Sequence, residues 1–424
     1  MKKPVPRFDM VRDPIRTRWY LKPLTKLLSW PDMVIHKPII NRHPGTENLK
    51  PPYILLCNHN AFMDFKVATQ IIYPNKANYV VAIDGFIGRE WLLRSVGCIC
   101  TRKFTSDTVL VRQIRKVLDN RDIAVIYQEA RYSLCGTTAV LPTSLGKLCK
   151  LMKVPVATLI CHGHHVNSPF WNLHDRRVKP TEADFSLVFT PEQLESMSVD
   201  EINDRIVEAF QYDDFAWQKE RGIRTPYEKR AEGLQKVLYQ CPHCGTEYRM
   251  KAGGTHLWCN HCGKEWEMTE LGELRALEGE TEFSHIPDWY EWERSNVRKE
   301  VREGRYSTGE LPVHVYSLPN ALKFIKLGDG KMVHDGNGFR VWGTDFDGDP
   351  FEMVLPVPSL YSCHIEYEYL GKWGDCVDLN TLQDTWYTYP YDCDFAVTKM
   401  ALATEELYYF YRESIGKPCR PGLA

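Results

Sequence analysis

From Tyr53 to Val188 short apolar runs alternate with stretches of helical spacing, and this alternation limits the fold more than any other feature of the chain. Tyr53–Cys57, Tyr79–Ile83, Ala124–Tyr127, Val156–Cys161 and Phe185–Phe189 predict buried strands. Between them Phe65–Tyr73, Thr108–Leu118 and Ser144–Met152 repeat their apolar residues as helices do. Strands and helices in that order pack as an α/β layer, a mostly parallel sheet covered by helices. Ser198–Tyr212 opens on Ser-Val-Asp-Glu, a helix-start signal, and predicts a closing helix.

A chain of 424 residues is too long for one ordinary core. Its 43% hydrophobic and 25% charged residues are those of a globular protein, and a net charge of -2 does not by itself identify a partner. Shifts in composition divide it into 1–217, the α/β domain with an N-terminal amphipathic helix, and 218–268, a linker with two cysteine pairs. A charged helical connector follows at 269–305, then a β-rich domain at 306–424 that ends in a helix near Asp394–Arg412. In the last domain His314–Tyr316, Phe339–Trp342, Phe351–Val357 and His364–Tyr369 predict strands between Gly-Asp, Asp-Gly and Asn-Gly turn signals. By order of elements that domain resembles a pleckstrin-homology-like module.

Asn58-His59 follows the first strand and Asp64 stands five positions after His59, at the start of a helix. Strand ends that feed helix starts are where α/β folds place reactive side chains. A carboxylate can fix one imidazole nitrogen and leave the other as a base for an acceptor hydroxyl. No Gly-x-Ser-x-Gly elbow is present to supply a serine nucleophile. A capping Asp beside a core His gives the same spacing, so the pair gains meaning only from three segments downstream of it. These are, in order, Gly97-Cys98-Ile99-Cys100-Thr101-Arg102, Gln128-Glu129-Ala130-Arg131-Tyr132-Ser133 and Val154-Pro155-Val156. This series resembles the four blocks of the glycerolipid (PlsC-like) acyltransferase superfamily, which includes lysophosphatidic acid acyltransferases.

The resemblance covers about Pro14 to Tyr212 and implies transfer of an acyl chain from a thioester of coenzyme A or acyl carrier protein to a lysophospholipid. It implies His59 as base, Asp64 as its orienter, and Asn58, Arg102, Glu129 and Arg131 as the acceptor-binding set, with Arg102 on the phosphate. Two departures stand out. The second block is one residue short between Gly97 and Arg102. In the third, Gln128 and Ala130 replace proline and glycine, and Arg131-Tyr132 stand where Thr-Arg is usual. Cys161-His162-Gly163-His164-His165, after a later strand, has no carboxylate or further cysteine at a diagnostic spacing and reads as a histidine-rich loop near the site.

Cys241-Pro242-His243-Cys244-Gly245 and Cys259-Asn260-His261-Cys262-Gly263 are matching knuckles. Four thiolates so spaced make a closed tetrahedral zinc site, which is structural, and the segment resembles a zinc ribbon. Only Arg249, Lys251 and Lys264 lie near it, too few for a nucleic-acid surface. The remaining cysteines are scattered, which predicts a reduced, cytoplasmic protein. No apolar run is long enough to span a membrane and no apolar segment follows the N-terminal Met-Lys-Lys as a secretory signal would. The region Pro14–Trp30 combines Trp19, Leu24, Leu27 and Trp30 with Arg16, Lys22 and Lys26, and predicts either a helix that lies on a membrane or one docked on its own domain. Lys2 and Lys3 add to its charge. Two other function classes fit parts of the chain: a zinc-ribbon adaptor for nucleic acid or protein, and an acyltransferase-like scaffold without activity.

Overall fold

The computed structural model describes residues 5–369 and 373–424, so Lys2 and Lys3 lie outside the described residues. Seven strands form the first sheet: β1 (Ile39–Arg42), β2 (Tyr53–Cys57), β3 (Ala77–Ala82), β4 (Ile99–Thr101), β5 (Ile123–Tyr127), β6 (Val156–His162) and β7 (Glu182–Phe189). Their order is β1-β7-β6-β2-β5-β3-β4, and all pair in parallel except β6 with β7. β2 is buried along its whole length. Its Tyr53, Leu55 and Cys57 enter one core with Val67 and Phe185, while Ile54 and Leu56 enter another with Ile114 and Leu145. A strand with a core on each side has no polar face, hence the unbroken apolar run. The helices Met63–Ile72, Thr108–Asp119, Ser144–Met152 and Val199–Ala209 cover the sheet. Ser198 and Glu201 close a capping box at the start of the last of these.

The N-terminal helix runs Leu21–His36 rather than from Pro14 to Trp30. Pro23 falls in its first turn, where a missing N–H breaks no helical bond, so it does not split the helix. Leu24, Leu27, Leu28 and Trp30 point to solvent, with Leu27 and Leu28 more than 60% exposed (64% and 65%).

β8 (Met250–Gly253), β9 (His256–Cys259), β10 (Glu265–Met268) and β11 (Leu274–Ala276) form a small antiparallel sheet around the cysteine knuckles. Part of the segment expected as a helical connector therefore belongs to this sheet, and its helix is Ile286–Arg302. The C-terminal sheet holds β12 (Leu311–Ser317), β13 (Ile325–Asp335), β14 (Gly338–Thr344), β15 (Pro350–Pro356), β16 (His364–Glu366), β17 (Cys376–Asn380) and β18 (Thr385–Pro390). They run antiparallel in the order β15-β14-β13-β12-β18-β17-β16, and the helix Val397–Ser414 follows. Within β13 the Gly328-Asp329-Gly330 signal marks no turn. A Cβ at Gly330 would lie 2.4 Å from the Trp342 carbonyl oxygen, so glycine lets two backbones approach there.

Trp266 of the small sheet, Trp289 of the connector helix, Val313 and Met332 of the C-terminal sheet and Phe170 and Phe215 of the first domain share one hydrophobic core. The parts of the chain are thus packed as one body around apolar contacts.

Candidate active site

β2 lies between β5 and β6, and the register pairs Cys57 with Tyr127 on one side and with Leu159 on the other. Parallel neighbours end at the same edge, so the residues after β2, β5 and β6 converge. Asn58 is fully buried and exchanges both amide groups with the backbone of Cys161, its Nδ2 donating to the carbonyl at 2.9 Å and its Oδ1 accepting from the N–H at 2.8 Å. It splices two strand ends and has no open group for a substrate.

His59 Nδ1 lies 3.3 Å from Asp64 Oδ2, and the side chain is 24% exposed. Its ring packs between Tyr127 and Tyr132, at centroid distances of 4.5 and 4.4 Å. The backbone N–H groups of Asn60 and Ala61 also donate to Asp64 Oδ2, at 2.6 and 2.9 Å. Burial alone would raise the Asp64 carboxyl, but hydrogen bonds from His164 and then His59 outweigh it and hold the group well below the usual carboxylate range. The pair therefore sets one ring nitrogen of His59 on an ionised carboxylate and leaves the other nitrogen free.

His164 is the residue that sequence reasoning missed. It is fully buried and its Nδ1 donates to Asp64 Oδ1. The signal was the position of the histidine-rich loop just past β6, at the edge where β2 ends; the carboxylate missing from the local spacing is supplied by Asp64.

The other expected acceptor ligands have different partners. Glu129 Oε2 accepts from the His59 N–H at 2.8 Å and Oε1 from the Ala139 N–H at 3.0 Å and the Tyr212 hydroxyl at 3.2 Å. Burial pushes its carboxyl up to about 7 against these donors. It is 1% exposed and supports the backbone beneath His59 from inside the core. Arg102, at the end of β4, is 3% exposed and donates to the carbonyls of Leu318, Pro319 and Gln383 and to Thr385 Oγ1. Arg131 is 4% exposed and donates to Glu405 at 2.6 Å and to the Cys363 carbonyl. Both guanidiniums thus grip the C-terminal domain, because that domain packs against the edge on which the strands end. No sequence spacing links positions so far apart in the chain.

Further out, Lys103 lies 2.8 Å from His364 Nε2 and 3.5 Å from Asp84, and His364 Nδ1 bonds Asp378 at 2.7 Å. Phe170 bridges this group to the site, with its ring against Tyr132 and His364. Side chains of both domains therefore meet beside His59.

At the knuckles, Cys241 and Cys262 sulfurs are 3.7 Å apart and those of Cys244 and Cys259 3.9 Å. Sulfurs at the corners of a zinc tetrahedron stand about 3.8 Å apart, so the four thiols fit that ion. Gly245 and Gly263, at φ +75° and +77°, make the knuckle turns that a side chain would strain.

Residues 41–162 match the model of the Acyltransferase family. A solved structure similar to part of this chain is the 1-acyl-sn-glycerophosphate (LPA) acyltransferase PlsC from Thermotoga maritima, at 13% identity and a TM-score of 0.37, over 45% of this chain and 77% of that one. No curated protein matches the chain. The matched segment, residues 41–162, contains both His59 and Asp64 and is thus similar to an acyltransferase domain.

Proposed function

We propose that this protein moves a fatty acyl chain from an acyl thioester, of coenzyme A or acyl carrier protein, to the free hydroxyl of a lysophospholipid at a membrane surface. The observation that carries the reading is the His59–Asp64 pair, half-open at a strand end inside a segment similar to an acyltransferase domain. Asp64 accepts from Nδ1 and leaves Nε2 to take the hydroxyl proton. The hydroxyl oxygen then bonds to the thioester carbon, the carbon–sulfur bond breaks, and the proton passes from His59 to the departing thiolate. A thioester is already activated, so one base is enough to drive the transfer.

Lysophosphatidic acid is the acceptor that the motif resemblance implies. For Arg102 and Arg131 to hold its phosphate they would have to leave Thr385, Glu405 and four backbone carbonyls. Tyr132, which packs on the His59 ring and is not fully buried, is better placed to touch the acceptor. The four knuckle thiols are assigned to one structural zinc, which would hold the small sheet together and take no part in the transfer.

Among the described residues no helix is long and apolar enough to cross a membrane. The helix Leu21–His36 lies along Met63–Ile72, with Lys66 paired to Asp32 and Gln70 bonded to the Lys26 carbonyl. Leu24, Leu27, Leu28, Val34 and Ile35 of this helix are exposed, as is Phe62, three residues from His59. Near the helix start a cleft of about 420 Å3 is lined by Arg12 and Arg18 beside exposed Trp91, and by Arg94, which is buried and paired with Glu90. Apolar depth with cations at its rim suits an anionic lipid surface and would deliver substrate to the catalytic loop.

The deciding experiment incubates purified protein with mixed lysophospholipids and acyl thioesters and identifies products by mass spectrometry, with His59→Ala alongside. New diacyl lipid from the wild type alone is expected. Absence of acylated product from a folded wild type with every pairing would sink the reading.

A further inference from the structure

The loop after β6 is not used by the reaction as described, yet its geometry is specific. Gly163 turns the chain at φ +83°, where a Cβ would lie 2.6 Å from the Trp217 ring. The turn delivers His164 to Asp64. An ionised carboxylate only accepts, so His164 carries its proton on Nδ1. Its Nε2 is buried with no partner among the described residues, and the side chain has no surface open to substrate. The bond to Asp64 is the polar contact that accounts for a histidine at this position.

Asp64 is therefore shared. Oδ1 belongs to His164, while Oδ2 accepts from two backbone amides at 2.6 and 2.9 Å and from His59 at the longer 3.3 Å. We propose that His164 is a positioning residue: it fixes the Asp64 rotamer that turns Oδ2 toward His59, and it tempers the carboxylate's pull on the His59 proton. This rests on the reading of His59 as the base. A carboxylate with no competing donor stabilises imidazolium and so removes the base near neutral pH. A second donor on the far oxygen weakens that effect while it keeps the tautomer fixed.

The titratable groups that face His59 are few. Asp64 begins the helix that follows its loop. Tyr127 and Tyr132 flank the ring and burial raises both phenols, so they stay neutral. Glu129 lies under the backbone, and Cys57 and Cys161 at the strand ends are held as thiols by burial. Asp84 and Glu366 act from beyond Tyr132. Asp64 and His164 form the part of this set that one substitution can separate.

The test tracks the His59 ring proton by NMR through a pH titration of the full-length protein without substrate. His164→Leu removes the donor. His164→Gln places its N–H nearer the site of Nε2, and His164→Asn places it where Nδ1–H stood. The His59 midpoint is expected to rise by about one pH unit in the Leu and Gln variants and to stay within about 0.3 in Asn. In the transfer assay the acidic limb of kcat/KM should move by the same amount. The proposal is overturned by an unmoved midpoint in folded Leu or Gln variants, by an Asn variant that shifts as far as Leu, or by a plateau lowered at every pH with the limb in place. If Leu does not fold, the Gln and Asn pair decides. A shifted midpoint in a protein that transfers no acyl group would uphold this proposal and defeat the functional one.

Discussion

His59 is held by contacts that do not depend on its imidazole acting as a base: Glu129 binds its N–H, and Tyr127 and Tyr132 pack on the ring. His59→Ala should therefore leave the fold and lower acyl transfer by about 10²–10⁴-fold, the usual cost of losing a general base. Residual activity within about tenfold of wild type, measured with a chromogenic thiol assay, would refute the role. Asp64→Asn should be less severe, since the base survives in a wrong tautomer. A second residue prediction concerns Glu366, whose carboxyl burial pushes up to about 8, with Lys103 opposing and Asp378 and Asp84 adding. An acid raised above its ordinary value binds more protons folded than unfolded between the two values. Its contribution to stability is thus present at low pH and lost as pH rises through 8. Glu366→Gln should show a smaller fall in urea midpoint from pH 5 to pH 8 than the wild type, and equal falls would refute the assignment. At this scale His59 and Asp64 were legible because their contact is local. Arg102, Arg131 and His164 were not, because their partners lie elsewhere in the chain.

The alternating apolar runs placed five of the seven strands of the first sheet and its covering helices. They missed β1 and β4, the two edges, where short strands with one neighbour leave little apolar signal. The long β13 was hidden by glycines that read as a turn but serve close backbone approach. The zinc proposed for the small sheet can be measured directly. Purified protein should contain one zinc, and Cys241→Ser should release it and unfold the sheet, since metal affinity and folding are one free energy there. Cys241, Cys259 and Trp266 are part of the core that also holds Phe170 and Phe215, so the loss should reach the side chains beside the site. Elemental analysis with a transfer assay checks both; full activity in metal-free protein would show the sheet to be independent. For the N-terminal helix, Leu27→Ser with Leu28→Ser should lower sedimentation with anionic vesicles and spare transfer on detergent-dispersed substrate. Undiminished vesicle binding would move the membrane contact elsewhere.

Across the whole molecule, two guanidiniums bind the C-terminal domain to the strand ends. Arg131 meets Glu405, which also takes Arg294 and Ser362, and every member of this network is at most 11% exposed or buried outright. Removing one partner of a buried pair costs about 3–5 kcal/mol, because the other charge stays buried. Arg131→Met should thus lower thermal stability by several degrees and expose the C-terminal domain to protease, with acceptor KM per folded molecule unchanged. A weakened KM with unchanged melting would return Arg131 to phosphate binding.

What the sequence determined by itself is whatever rests on near neighbours: strand and helix periodicity, the His59–Asp64 spacing, the capping box at Ser198 and the two cysteine knuckles. Each is set by backbone geometry over a few residues, so the spacing and the contact carry the same information. The tertiary structure alone decided which cations are free. Burial makes an unpaired charge costly, so Arg102 and Arg131 are satisfied by whatever acceptors the packed domains bring within reach, and those stand more than two hundred residues away in the chain. The same packing of parallel strand ends put His164 on Asp64, a contact that spacing along the chain does not encode.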